Sequence, residues 1–139
     1  MRITIFATGG TFDKEYNEIT GELYYKNTHV REILDSGRSL LDIDIRKLMI
    51  IDSLKMTNKD RKEIAQNCAD SKSRHIVITH GTDTLHVSAS ALSFAFAGGG
   101  GKPAGRIVFS GSLRSSDRAS SDATEILLSA VYWAAYGAE

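Results

Sequence analysis

The 139-residue chain has a single cysteine, Cys68, which excludes an internal disulfide framework and fits a reducing compartment. Neither that cysteine nor the four histidines fall at the spacing of a structural zinc site. Net charge is absent too: lysine plus arginine and aspartate plus glutamate number 17 each, so no overall field draws the protein to nucleic acid or to an anionic membrane. Any substrate must be captured by local chemistry. The first apolar stretch, residues 1–6, is too short for a secretion signal or a membrane span and reads as a buried strand, which sets cytoplasmic localisation as the expectation. No internal repeat is visible, and the length suits one domain covering 1–139.

Apolar runs of strand length alternate with segments of helical period. That pattern gives an α/β fold: a parallel sheet of four or five strands, doubly wound with helices on both faces. Residues 2–7, 43–51, 75–79 and 106–110 are the expected strands. The expected helices cover 29–36, a segment opened by Thr57, about 85–97, and about 121–136. Thr28 is expected to cap the first helix and Thr57 with Asp60 to form a capping box on the second. The third is apolar and alanine-rich enough to be a buried helix. Glycines 98–101 and the serine-rich stretch 115–121 read as loops.

The chemistry collects at one edge. Every expected strand ends in a small, polar turn, and in open parallel sheets ligands bind beyond the carboxyl ends of the strands. Those turns are Thr8-Gly9-Gly10-Thr11, Asp52-Ser53, His80-Gly81-Thr82-Asp83-Thr84 and Gly111-Ser112. Two glycines directly after a strand allow close backbone approach to a ligand. A threonine hydroxyl there suits a nucleophile, provided that a base or relay lowers the barrier to its deprotonation. On the tetrapeptide alone, a plain glycine turn explains the same residues. Asp83 could bind an ammonium group; equally, Asp83 or Thr82 could cap the following helix. His80 is compatible with a base or with backbone hydrogen bonding. His29, His75 and His86 lie too far apart in sequence to suggest a metal site, and Arg114 suits either an acidic ligand or a surface ion pair.

Taken together, Ala7-Thr8-Gly9-Gly10-Thr11-Phe12 and Ile78-Thr79-His80-Gly81-Thr82-Asp83-Thr84 resemble the two signature motifs of the bacterial-type L-asparaginase family. Three further segments agree in order and spacing: residues 51–57 resemble the loop that holds the substrate carboxylate, 110–114 the Gly-Ala-Met-Arg segment, and 120–123 the start of the next helix. The similarity is greatest to the short, single-domain members. It implies a flavodoxin-like three-layer fold and hydrolysis of asparagine, or also of glutamine, to the acid and ammonia, with no metal or organic cofactor. By the same resemblance Thr11 matches the nucleophile and Thr82 the second catalytic hydroxyl. Asp83 matches the acid that also grips the α-ammonium, and Ser53 the ligand of the α-carboxylate. Ser112 stands where a backbone carbonyl receives the amide nitrogen. Tyr16 is the choice for the tyrosine of the active-site loop, with Tyr24 and Tyr25 in the same loop. Gly10, Asp52, Leu54 and Gly81 complete the expected substrate-binding set.

The chain departs from the family in two places. The family's second triad includes a lysine beyond the helix that starts near Ser121, and no counterpart precedes Glu139; Lys55 and Lys102 lie elsewhere. Leu54 replaces a glutamine that many members place near the substrate ammonium. The expected partners are therefore a small amino acid (asparagine or aspartate) and further copies of the chain in a homodimer or higher homo-oligomer, with neither nucleic acid nor membrane. The alternative function is a domain that binds a small amino acid without turnover. A nucleotide binder of flavodoxin type ranks below both, since Gly-x-Gly-x-x-Gly and Gly-Lys-Ser/Thr patterns are missing after the first strand. Tyr132, Trp133 and Tyr136 are expected in the core, or else covering a sheet edge or another subunit.

Overall fold

In a computed structural model, residues 1–97, 101 and 105–138 are described. Most of the glycine run and Lys102 lie outside them. The strands β1 (Arg2–Gly9), β4 (Asp42–Ile51), β5 (His75–Thr79) and β6 (Arg106–Ser110) form one parallel sheet in the order β4-β1-β5-β6. The helices are α1 (Val30–Ser36), α2 (Asn58–Asp70), α3 (Leu85–Phe96) and α4 (Ala123–Tyr136). A short antiparallel hairpin, β2 (Lys14–Tyr16) and β3 (Leu23–Tyr25), interrupts the alternation where the sequence suggests only a polar loop.

Two cores explain the layering. Ile3, Ile5 and Ala7 of β1 and Val77 of β5 pack with Val30, Ile33 and Leu34 of α1 and with Leu127, Val131 and Ala134 of α4. The alternate residues Phe6, Ile76 and Ile78 face the other way, onto Ile64 and Cys68 of α2 and Leu92 of α3. The period of two along each strand thus feeds both faces, and the sheet becomes the middle of three layers. Burial pushes the Cys68 thiol up to about 12, so it stays a protonated packing group.

One irregularity shapes the functional edge. Along β1 and β4 the register runs evenly to Ala7 opposite Lys47 and then jumps to Gly9 opposite Ile51. Before the jump Ile43 and Ile45 pack on the α1/α4 side; after it Met49 and Ile51 pack on the α2/α3 side, although all four positions are odd-numbered. A bulge of this kind bends the strand and re-aims whatever follows it, in this case Asp52 and Ser53.

Local signals behave unevenly. Thr57 and Asp60 form the reciprocal capping box on α2. At α1 the cap position is His29, without a side-chain cap, and the Thr28 hydroxyl accepts a 3.4 Å bond from the Val30 amide. The expected burial of α3 is corrected: only Ser88 and Leu92 are buried, and Phe94 is 81% exposed, because the helix touches the sheet near its outer strand on one face alone. Core packing is corrected likewise for Tyr132, Trp133 and Tyr136, each more than half exposed on α4, with the two tyrosine rings 5.3 Å apart. Among the described residues no helix is long and apolar enough to cross a membrane.

Candidate active site

The crevice is built by glycines that let three backbones touch. Gly9 and Gly10 have φ of 100° and 78°, a region in which a side chain is strained. A Cβ on Gly10 would lie 2.4 Å from the Cα and N of Gly81, and a Cβ on Gly81 would lie 2.5 Å from the Ser53 hydroxyl oxygen. A Cβ on Gly111 would meet the His80 carbonyl at 2.6 Å and the Thr82 methyl at 3.1 Å. The ends of β1, β4, β5 and β6 therefore converge around the Gly10–Gly81 contact. Thr11, Ser53, Thr82 and Ser112 are each at that contact or one residue from a glycine within it.

Their surroundings differ in ways that matter. Thr11 is half-buried and opens a short 3-10 turn. Ser53 and Ser112 are 2% and 1% exposed, and their buried hydroxyl oxygens have no hydrogen-bond partner among the described residues. A buried polar atom left unpaired costs stability, and a bound ligand supplies the missing bond. Thr82 and Asp83 are exposed; neither caps α3, whose cap position is Thr84, so the capping reading of this motif is corrected. Leu54 is 71% exposed, and its amide donates to the Asp52 carboxylate at 3.0 Å.

Asp52 joins the crevice to the hairpin. Its other oxygen accepts from Lys14 Nζ at 2.9 Å, and this bond, with that of the Leu54 amide, holds the carboxyl below its ordinary range. Lys14 also lies 5.5 Å from the centre of the Tyr25 ring. Tyr25 sits at the base of the hairpin: burial, aided by the Asp52 charge, pushes its phenol up to about 12, and the Gly10 amide facing it opposes that rise. Its buried oxygen has no hydrogen bond of good geometry among the described residues. Tyr16 is placed differently. Its hydroxyl points to Gly21 at the hairpin tip, and its ring stacks under Arg118 at 4.4 Å. Tyr24 donates to Glu15 at 2.8 Å. The structure thus brings Tyr25, and neither Tyr16 nor Tyr24, to Gly10. Sequence reasoning also missed Lys14; the only signal for it was its place three residues after Thr11.

The remaining candidates serve the scaffold. Arg114 donates to the Ser120 carbonyl at 3.0 Å, and Asp122 accepts from the amides of Leu113 and Arg114, so the turn after β6 is tied to the start of α4. His80 is fully buried, with hydrogen-bond contacts to Gly81 O and Ser88 Oγ. Among the described residues no group of three or more histidine, cysteine or acidic side chains is gathered as a metal site would require.

The asparaginase N-terminal family model matches residues 2–139. The chain belongs to the asparaginase family. Its architecture matches the thermostable L-asparaginase of Thermococcus kodakarensis with a TM-score of 0.82 at 29% identity, covering 99% of this chain and 42% of that one. L-asparaginase I of Vibrio cholerae gives 0.79 at 29% identity, over 96% and 40%. Among curated relatives, a subunit of the glutamyl-tRNA(Gln) amidotransferase of Methanobrevibacter smithii is 38% identical over 94% of this chain and 30% of its own length. Its counterpart in Archaeoglobus fulgidus is 38% identical over 92% and 30%. The chain thus spans less than a third of these relatives. With this asparaginase-family membership, the four-stranded parallel sheet and the convergence of its strand ends acquire a chemical context.

Proposed function

We propose that this chain is an amidohydrolase domain that cleaves the side-chain amide of L-asparagine. The observation that supports the reading is the Gly10–Gly81–Ser53 contact next in sequence to the half-buried Thr11, together with the buried Ser53 and Ser112 hydroxyls that have no hydrogen-bond partner among the described residues. In this scheme the Thr11 oxygen attacks the amide carbon; the C–N bond then breaks, the nitrogen leaves as ammonia with the proton from the hydroxyl, and water hydrolyses the resulting ester to aspartate and free Thr11. Ser53 binds the α-carboxylate and Asp83 the α-ammonium. Gly10, Gly81, Asp52, Leu54 and Ser112 line the site, and Thr82 is the second catalytic hydroxyl. Tyr25 takes the part that the family resemblance suggested for Tyr16, because it is the tyrosine beside Gly10. Holding the substrate at both charged ends converts binding energy into orientation of the amide.

The test is ammonia release from asparagine by the wild type and by Thr11→Ala, beside calorimetric titration with aspartate. Loss of turnover by about a thousandfold or more in the variant, with aspartate still bound, is the expected result for a nucleophile. Turnover that survives the substitution would sink the scheme. Tight aspartate binding with no wild-type turnover would favour the binding-domain alternative. A second reading comes from the relatives named as amidotransferase subunits: the same crevice releases ammonia from glutamine for transfer, which glutamine assayed in parallel distinguishes.

A further inference from the structure

Behind the crevice lies a buried cation that the scheme above does not use. Arg61 of α2 is 9% exposed, and among the described residues no carboxylate lies within ion-pair distance of it. A buried charge without a counter-ion persists only where hydrogen bonds hold it. Its guanidinium donates in three directions: to the Met56 carbonyl at 3.2 Å, to Ser88 Oγ at 3.0 Å and to Thr84 Oγ1 at 3.3 Å. Each side-chain arm continues to one wall of the crevice. Thr84 Oγ1 donates onward to the Ser53 carbonyl at 2.8 Å. Ser88 Oγ reaches His80 Nε2 at 2.8 Å, and His80 Nδ1 lies 2.7 Å from the Gly81 carbonyl.

The proton positions in the second arm follow from the acceptors. A carbonyl oxygen only accepts, so Nδ1 carries the hydrogen, and a neutral ring then leaves Nε2 bare. Ser88 receives Arg61 Nε–H on its oxygen and donates its one proton to that nitrogen at 2.8 Å, the nearer and better acceptor than Met56 Sδ at 3.4 Å. The chain has a single direction, Arg61 to Ser88 to His80 to Gly81. Its last bond turns the Gly81 carbonyl inward, which in a trans peptide turns the Thr82 amide the opposite way.

We infer that Arg61 is a positioning residue that sets the two walls independently, Ser53 through Thr84 and the Gly81–Thr82 peptide through Ser88 and His80. This rests on the proposed reading of the crevice. Ser53 holds the substrate carboxylate in that reading, so cutting the Thr84 arm acts on binding. The Gly81 backbone at the start of that peptide stands against Gly10, the residue before Thr11, so cutting the Ser88 arm acts on the chemical step.

The experiment compares steady-state kinetics with asparagine, aspartate titration and thermal melting for the wild type, Thr84→Val, Ser88→Ala and Arg61→Met, with 15N NMR of the His80 ring. Thr84→Val is expected to raise KM and the aspartate Kd about tenfold with kcat within about threefold, and Ser88→Ala to lower kcat about tenfold with KM within about threefold. Arg61→Met combines the two effects. In the wild type the His80 resonances report Nδ1 protonated and Nε2 bare, and Ser88→Ala shifts them. A structural role alone would move KM and kcat together with the melting temperature. An active wild type whose two single-arm variants lack the split overturns the inference, as does a ring protonated at Nε2. If Arg61→Met fails to fold, the single-arm variants decide. A wild type silent toward asparagine, glutamine and aspartate instead removes the crevice reading itself, and this inference falls with it.

Discussion

Single residues carry two different duties at this edge, approach and reactivity, and substitutions separate them. Gly10 supplies approach: at φ 78°, with a virtual Cβ 2.4 Å from backbone atoms of Gly81, an added methyl group meets atoms that no rotamer change can move. Gly10→Ala is therefore expected to lose at least about 2 kcal/mol of stability, from backbone strain and forced separation of the two loops. Urea denaturation checks this; a midpoint unchanged from the wild type would show that the loops can part without cost. Tyr25 supplies reactivity under the proposed scheme. Its phenol is raised to about 12, so at neutral pH it works as an undissociated hydroxyl that relays a proton rather than as a phenolate. Tyr25→Phe is expected to lower kcat by about a hundredfold or more, whereas Tyr16→Phe, with its ring under Arg118 at the hairpin's outer side, stays within about threefold. Equal losses in the two variants would move the relay elsewhere on the hairpin. The motifs around Thr11 and Thr82 were legible only as a pair, through their joint resemblance to the asparaginase signatures, because each string alone also reads as an ordinary glycine turn or helix cap. Tyr25 was not, since three tyrosines share one loop and only the fold of the hairpin distinguishes its base from its tip.

At the level of elements, local rules hold where the chain makes its own bonds and fail where tertiary contact decides. The α2 start was readable because Thr57 and Asp60 satisfy each other's backbone within four residues, with bonds of 2.7 Å to the Thr57 amide and 3.3 Å to the Thr57 hydroxyl. Thr57→Ala removes the hydroxyl half of that exchange and is expected to cost about 1 kcal/mol in chemical denaturation. A cost near zero would mean that the Met56 and Arg61 contacts alone fix the helix start. The inner strands β1 and β5 were readable from their apolar, β-branched runs, since a strand covered on both faces carries apolar side chains at most positions, and the edge strand β4 from its isoleucines. The hairpin was not readable, because its strands are three residues each and their stability is borrowed. Asp52 holds Lys14, and Asp117 accepts from the Tyr16 amide at 2.7 Å, partners 38 and 101 residues away in sequence. The exposure of α3 and of the α4 aromatics follows the same logic: an apolar helix is buried only as far as neighbouring elements cover it, and the sheet order places α3 beside the outermost strand, β6.

The whole molecule couples the crevice to its own stability through the buried histidine at the junction of β5, α2 and α3. Burial pushes His80 below its ordinary value of 6.5, with the positive charge of Arg61 adding to the effect and the Gly81 carbonyl opposing it. The ring is neutral in the folded protein over a range in which the unfolded chain already takes up a proton. The sign follows: stability from this group is complete above about pH 6.5 and is lost as the pH falls below it, because unfolding then binds a proton that the native state refuses. The slope approaches ~1.4 kcal/mol per pH unit until the folded ring itself titrates. The urea midpoint should therefore drop between pH 7.5 and pH 5.5, values that span the onset at about 6.5. In His80→Gln, which keeps a donor for Gly81 and has no titrating ring, the drop should be smaller by that amount. His29, His75 and His86 are present in both proteins, so the difference between the two profiles isolates His80. Parallel profiles would show that the folded ring accepts a proton as readily as the unfolded one, which a fully buried imidazole 2.8 Å from a serine already bonded to a guanidinium has no room to do without breaking the Arg61 chain.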